Sequence, residues 1–284
     1  MPDRDVREVG GAWASFQHHS FPEPAPDLAP FVDHFWAVTW DLTGQPPYRQ
    51  LVMPNPTVHL SFRGGGAEVH GVGRRSGVKV LEGVDRVFGV AFRPGCFRPF
   101  LGRAASTITD RVLAADDLFP DVPARAMAEA ADEAAQVVVA QDFLRSVRPE
   151  RDPTAERVAD VVAMVAAEPG ITRVDVLAER LDTHVRSVQR LFAEYVGVGP
   201  KWVIRRYRLR EVTERMARSK AVDWAGVAAE LGYADQAHLT RDFTAMVGES
   251  PTRYAARYPA PRLRDGLTRP LATVFHNGVT TIRE

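Results

Sequence analysis

Seven residues in the second half of the chain have the types and the spacing that read base pairs. Arg186, Gln189 and Arg190 make one set; Gln236, Ala237, Thr240 and Arg241 make the other. On a helix such spacings bring the members of a set to one face. Arginine matches the two acceptors of guanine, glutamine matches adenine, and the threonine methyl packs on that of thymine. Each good bidentate pair discriminates against a wrong base by ~1–3 kcal/mol.

The elements that must hold these residues come from a duplication. Val188-x3-Phe192-x4-Gly197-x-Gly199-Pro200 recurs as Leu239-x3-Phe243-x4-Gly248-x-Ser250-Pro251, every position shifted by 51 residues. Upstream, Ala178-x2-Leu181 recurs as Ala228-x2-Leu231 with a shift of 50. The one-residue difference falls in the turns, where insertions cost least. Each copy reads as helix, short turn, helix, the sequence form of a helix-turn-helix unit. In the first copy Val174, Leu177, Ala178 and Leu181 face inward, followed by Val188, Leu191 and Phe192. In the second the inward residues are Val227, Ala228 and Leu231, then Leu239 and Phe243. Gly232 supplies the turn, and Asp235 stands where an N-cap belongs.

Between the copies, Pro200 opens a helix running to about Ser219. Residues 201–220 hold eight basic side chains and two acidic ones. Twenty helical residues span ~30 Å, close to the ~34 Å between successive major-groove faces of B-DNA. Two recognition helices could therefore enter adjacent grooves with this helix along the backbone between them. Arg205, Arg206 and Arg208 are predicted to meet phosphates, giving affinity and salt dependence without sequence preference.

Residues 153 to 258 resemble the DNA-binding domain of the AraC/XylS transcription regulators. The second copy carries the resemblance, as Ala228-x2-Leu231-Gly232-Tyr233-x5-Leu239-x3-Phe243-x4-Gly248-x-Ser250-Pro251. His184 stands where the family often has a capping serine, which leaves Thr183 to cap. Trp202-Val203 replaces the usual position of a tyrosine after the proline. The resemblance implies a one-component regulator that binds a double-stranded operator through the seven residues above. It implies no enzymatic activity and no cofactor. The partners it implies are RNA polymerase, a small-molecule effector and a second copy of the chain as a homodimer.

Residues 1 to about 103 read differently. Short apolar stretches at His34–Trp40, Thr57–Phe62, Val78–Leu81 and Val87–Phe92 are broken by Gly64-Gly65-Gly66 and Arg93-Pro94-Gly95. That pattern predicts a β-sandwich or small barrel. From Asp121 to about Val147 the pattern turns helical. Pro149 and Pro153 mark a linker, and Asp152-Pro153 opens a further helix with Val158, Val161, Val162 and Val165 on one face. The predicted architecture is multidomain. A β-rich regulatory, effector or dimerisation domain spans 1–149, with a helical segment at 104–149. An all-α pair of helix-turn-helix units spans 150–260. A tail follows at 261–284, in which Asn277-Gly278 suggests a hairpin.

The segment around Phe35-Trp36, Pro54-Asn55-Pro56 and Gly89–Gly95 resembles the cupin-like regulatory domain of an AraC subgroup. That implies an effector pocket, for which Trp36, Trp40, His59 and Phe92 are the candidate lining, with simple core packing as the alternative for each. His18, His19, His34, His59 and His70 are numerous, yet no His-x-His is followed by a glutamate, so no metal site is expected. The single cysteine, Cys96, excludes an intrachain disulfide and a four-cysteine zinc site. It lies between Arg93 and Arg98, which would acidify an exposed thiol and suit a redox sensor; the default reading is a small turn residue.

With 36 basic and 36 acidic residues in 284, the net charge is zero, which excludes nucleic-acid binding by bulk charge. No apolar run approaches the ~20 residues of a membrane span, and the N-terminus has no apolar signal core; a cytoplasmic protein is expected. Two rival readings are a cupin-type enzyme with an accessory helical domain and a protein-interaction module.

Overall fold

The computed structural model describes residues 16–218 and 222–257. Eight strands come first: β1 (Gln17–Ser20), β2 (Val32–Asp41), β3 (Tyr48–Val52), β4 (His59–Arg63), β5 (Gly66–His70), β6 (Gly77–Leu81), β7 (Val84–Phe92) and β8 (Val112–Ala114). Six form an antiparallel sheet in the order β1-β2-β7-β4-β5-β8, and β3 pairs with β6. The four strands expected from apolar runs are β2, β4, β6 and β7. Gly64 and Gly65 close the β4–β5 hairpin, both with positive φ (57° and 79°) and Arg63 opposite Gly66. That geometry belongs to a primed two-residue turn, which glycine adopts at no steric cost.

Alternation along the strands gives the large sheet two different faces. On one, Phe35, Leu60, Phe62, Val69, Phe88 and Val90 are buried. Helices α1 (Arg98–Leu101), α2 (Ala124–Glu129) and α3 (Glu133–Val147) add Leu101, Met127, Ala140, Phe143 and Leu144 to the same cluster. On the other face the β3–β6 pair closes over one end, where Trp40, Leu42, Tyr48 and Leu81 pack together.

Seven helices follow: α4 (Pro153–Ala167), α5 (Val174–Arg180), α6 (Val185–Tyr195), α7 (Pro200–Arg218), α8 (Trp224–Glu230), α9 (Gln236–Val247) and α10 (Pro251–Arg257). The Asp152 carboxylate accepts the Thr154 and Ala155 N–H groups at the start of α4, as its position before Pro153 predicts. The expected inward stripe Val158, Val161, Val162 and Val165 is buried.

The two helix-turn-helix units are built alike down to their hydrogen bonds. Asp182 (φ +47°) and Gly232 (φ +69°) occupy the equivalent left-handed position after α5 and α8. The next residue in each donates back to the helix: Thr183 N–H to the Ala178 carbonyl at 3.0 Å, Tyr233 N–H to that of Ala228 at 2.8 Å. This is the six-to-one bond that ends a helix in a Schellman turn. The second helices differ at their starts. Asp235 caps α9 by accepting the His238 N–H at 2.6 Å, whereas α6 opens at His184 with no side-chain cap.

Two apolar clusters hold these parts together, and both cross from the strands to the helices. The larger runs from Leu28 through Phe35 and Val90 to Leu177, Phe192 and Ile204. The smaller joins Leu51 and Met53 to Leu209, Val227, Leu239 and Phe243. The segment in which a C-terminal hairpin was expected, around Asn277-Gly278, lies outside the described residues.

Candidate nucleic-acid interface

The seven predicted base-reading residues fall on the first two turns of α6 and α9, the second helices of the two units. Arg186, Gln189 and Arg190 on α6 correspond to Ala237, Thr240 and Arg241 on α9, each shifted by 51 residues. Thr240 is half-buried; the other six are exposed. Beneath them, Val188, Phe192, Leu239 and Phe243 are buried and fix each helix against its unit. Leu191, expected inside, is half-buried against the same core. Among the described residues Arg186, Arg190 and Arg241 make no ion pair. Each helix thus presents two or three uncommitted polar side chains beside its N-terminus, where unpaired N–H groups favour anions.

The predicted phosphate contacts fare differently. Arg206 is 1% exposed, which removes it from the set of phosphate ligands. Its Nε donates to the Pro54 carbonyl and its Nη2 to Asn55 Oδ1 at 2.8 Å. Burial pulls its pKa down to about 10. The error has a plain cause: position 206 turns toward the β3–β4 connection, a contact that a count of charges along α7 does not contain. Arg205 is paired with Asp242 of α9, with Nε–Oδ2 and Nη2–Oδ1 both 3.0 Å. Arg208 lies 3.8 Å from the centroid of the Tyr233 ring. All three arginines are thus bound to protein groups, two of them brace the second unit, and charge counting could not separate bracing from reading.

The predicted pocket lining also divides. Trp36 and His59 meet: the indole Nε1–H donates to His59 Nδ1 at 3.2 Å. Trp36 lies across Gly89, where a Cβ would stand 2.1 Å from the indole. Trp40 is on the same face but further along β2, inside the Tyr48–Leu81 cluster. Phe92 belongs to the opposite face with Phe88 and Val90, packed against Phe97 and Phe100 at 4.8 and 5.2 Å between ring centroids. The period of two separates it from Trp36 and His59, so the four do not line one site. Among the described residues no three His, Cys, Asp or Glu side chains are grouped to hold a metal.

Cys96 is 1% exposed, and its Sγ faces the Ala155 carbonyl at 3.8 Å. Burial pushes the thiol up to about 12 despite Arg93. It is a buried structural thiol, which agrees with the plain reading of a small turn residue and not with an acidified sensor.

Burial, with His34 and His70 nearby, pushes His59 down to about 3; burial beside His18 takes His19 down to about 4. In the unfolded chain both take up a proton near pH ~6.5. Below that pH the unfolded state binds more protons, so stability falls as pH drops towards the folded-state values. The urea midpoint should be lower at pH 5 than at pH 7, His59 alone accounting for ~2 kcal/mol. His59→Asn should remove part of that drop. Equal midpoints at the two pH values would contradict this account of the site.

Comparison with known proteins agrees with the geometry. Residues 177–257 match the family described as a helix-turn-helix domain, and residues 21–114 match a domain of unknown function (DUF6597). Two linked helix-turn-helix units behind a β-rich domain define a DNA-binding transcription regulator. The domain matched at residues 177–257 is a helix-turn-helix of the AraC type. No curated protein matches the chain. Among solved structures, ToxT from Vibrio cholerae O395 is 11% identical over 86% of this chain and 97% of its own, with a TM-score of 0.40. An apo variant of ToxT from Vibrio cholerae strain SCE256 is 12% identical over 79% and 97%, also at 0.40. No helix among the described residues is long and apolar enough to cross a membrane.

Proposed function

We propose that the chain reads one duplex site with both units, α6 in one major groove and α9 in the next. Arg186, Gln189 and Arg190 contact base edges in the first half-site; Gln236, Ala237, Thr240 and Arg241 contact them in the second. The supporting observation is the equivalence of the two sets: the same positions of a duplicated unit, on the same turns of helix, without ion-pair partners among the described residues. The division of labour falls near residues 150 and 260, with the β-rich region as receiver of a signal. Trp36 and His59 are the polar pair from which an effector would be sensed. Pairing of two copies and contact with RNA polymerase complete the reading of a cytoplasmic, non-enzymatic regulator.

The test is selection of duplexes from a random pool by the full-length chain, followed by sequencing. The account expects two half-sites separated by about one helical turn, ~10–10.5 base pairs. Enrichment of no motif under any condition would overturn it.

A further inference from the structure

Both reading helices are gripped at the same point, and by one part of the β-rich region. α6 and α9 run out into Gly197 and Gly248, equivalent positions of the duplication, with φ of +93° and +89°. At the first, Thr109 donates its hydroxyl to the Gly197 carbonyl at 2.5 Å. The approach is close, since a Cβ on Gly197 would stand 3.0 Å from the Ala105 carbonyl oxygen. At the second, Ser76 donates its hydroxyl to the Val247 carbonyl at 2.7 Å and its N–H to that of Met246 at 3.0 Å.

The two loops carrying Ser76 and Thr109 are tied into a single structure. Arg74 donates its N–H and its Nε to the two carboxylate oxygens of Asp110, at 2.7 and 2.6 Å. Asp110 N–H donates to the Val72 carbonyl and Gly71 N–H to that of Arg111, both at 3.0 Å. Asp110 holds φ +58°, a conformation that favours glycine. Gly71 sits so near the other loop that a Cβ would fall 1.8 Å from the Ile108 carbonyl oxygen. The Arg74 carbonyl also accepts Trp202 Nε1–H at 3.1 Å, at the start of the helix joining the units.

We infer that this tied pair of loops, residues 71–76 and 105–111, sets the distance and angle between the two recognition helices. The inference rests on the reading above, that α6 and α9 enter DNA together. Two bodies joined through α7 alone can bend and rotate about that helix. The apolar clusters already seat each unit on the strands, and the directional attachment at the far end of each recognition helix removes the freedom that is left. Arg74, Ser76, Thr109 and Asp110 are positioning residues in this account, because none lies at the DNA-facing end of α6 or α9. The β-rich region is then part of the ruler that measures half-site spacing, and a signal that slides one loop against the other changes which spacing fits.

The experiment is the same random-pool selection, with the full-length wild type and the double variant Ser76→Ala, Asp110→Gly. Glycine suits the backbone at 110 and removes the two side-chain bonds from Arg74 without strain, leaving the backbone bonds of the loops in place; unfolding midpoints of both proteins confirm that each is folded. Both proteins should enrich the same half-site sequences. The wild type should favour one spacing over its one-base-pair neighbours, and the double variant should lose about tenfold of that preference, on the scale of one or two hydrogen bonds. Ser76→Thr, which keeps the hydroxyl, should retain the wild-type preference where Ser76→Ala reduces it. An unchanged spacing preference in the double variant would overturn the inference and leave the DNA reading standing. Failure of the wild type to enrich any pair of half-sites would remove both.

Discussion

Arg190→Ala and Arg241→Ala should each weaken binding to the selected duplex by about 5- to 150-fold, the equivalent of ~1–3 kcal/mol per bidentate contact. Both guanidinium groups are exposed and outside any ion pair among the described residues, so neither substitution removes a group that holds the fold. Loss of affinity without loss of thermal stability is therefore the expected signature. Because the two arginines lie in different units, their effects should be close to additive in the double variant. Each should also relax the base preference at one position of its own half-site, read by repeating the selection. Arg206→Met provides the contrast. It leaves the Pro54 carbonyl and Asn55 Oδ1 without their donor, which should cost ~1–3 kcal/mol of stability, and it should leave the salt slope unchanged because Arg206 is not at the surface. If Arg190→Ala bound as tightly as the wild type, α6 would not be a base-reading helix.

Phe243→Ala should destabilise the second unit by ~3–5 kcal/mol, the usual cost of emptying a buried aromatic site. The ring is fully buried, edge-on to Tyr254 at 5.6 Å, in a cluster with Leu209, Val227, Leu239 and Met246. A whole domain has ~5–15 kcal/mol of stability, so this loss would open the second unit locally before the larger cluster yields. Hydrogen exchange over residues 224–254 should accelerate, while exchange in β2, β7 and α4 should change little. DNA binding should fall to that of a duplex carrying only the first half-site. Uniform acceleration across the chain would instead mean that the two apolar clusters unfold as one.

Much of the helical half was legible because its signals are local and doubled. The 51-residue shift aligned Phe192 with Phe243 and Gly197 with Gly248. Asp152 and Asp235 announced helix starts, and both side chains do cap. The β-rich half was less legible. β2, β4, β6 and β7 showed as apolar runs, whereas β1, with the sequence Gln17-His18-His19-Ser20, carries no such run, and β8, Val112-Leu113-Ala114, is only three residues long. Gly64-Gly65 was a usable sign of β5, since two consecutive positive-φ residues make a tight hairpin.

Function of individual side chains was legible only where neighbours in sequence decide it. Arg186, Gln189 and Arg190 depend on helix phase alone, and their exposure follows from it. Arg206 depends on Pro54 and Asn55, some 150 residues away, and charge counting placed it on the wrong side of α7. Phe92 depends on strand parity, which the sequence left open because apolar residues stand on both faces at that end of β7. Cys96 shows the same limit, since Ala155 and Ala159 bury it from across the linker. Ser76 and Thr109 are missed for a further reason: a lone hydroxyl in a loop carries no signal until the loop's contacts are seen.

The most direct test of the central claim is fluorescence anisotropy of the full-length protein on a selected duplex and on a scrambled one, across a salt series. The account predicts binding to the selected duplex ~10³-fold tighter or more than to the scrambled one. It also predicts a linear fall of log affinity with log salt for both duplexes. Equal affinity for the two would mean that α6 and α9 do not read sequence, and would contradict it.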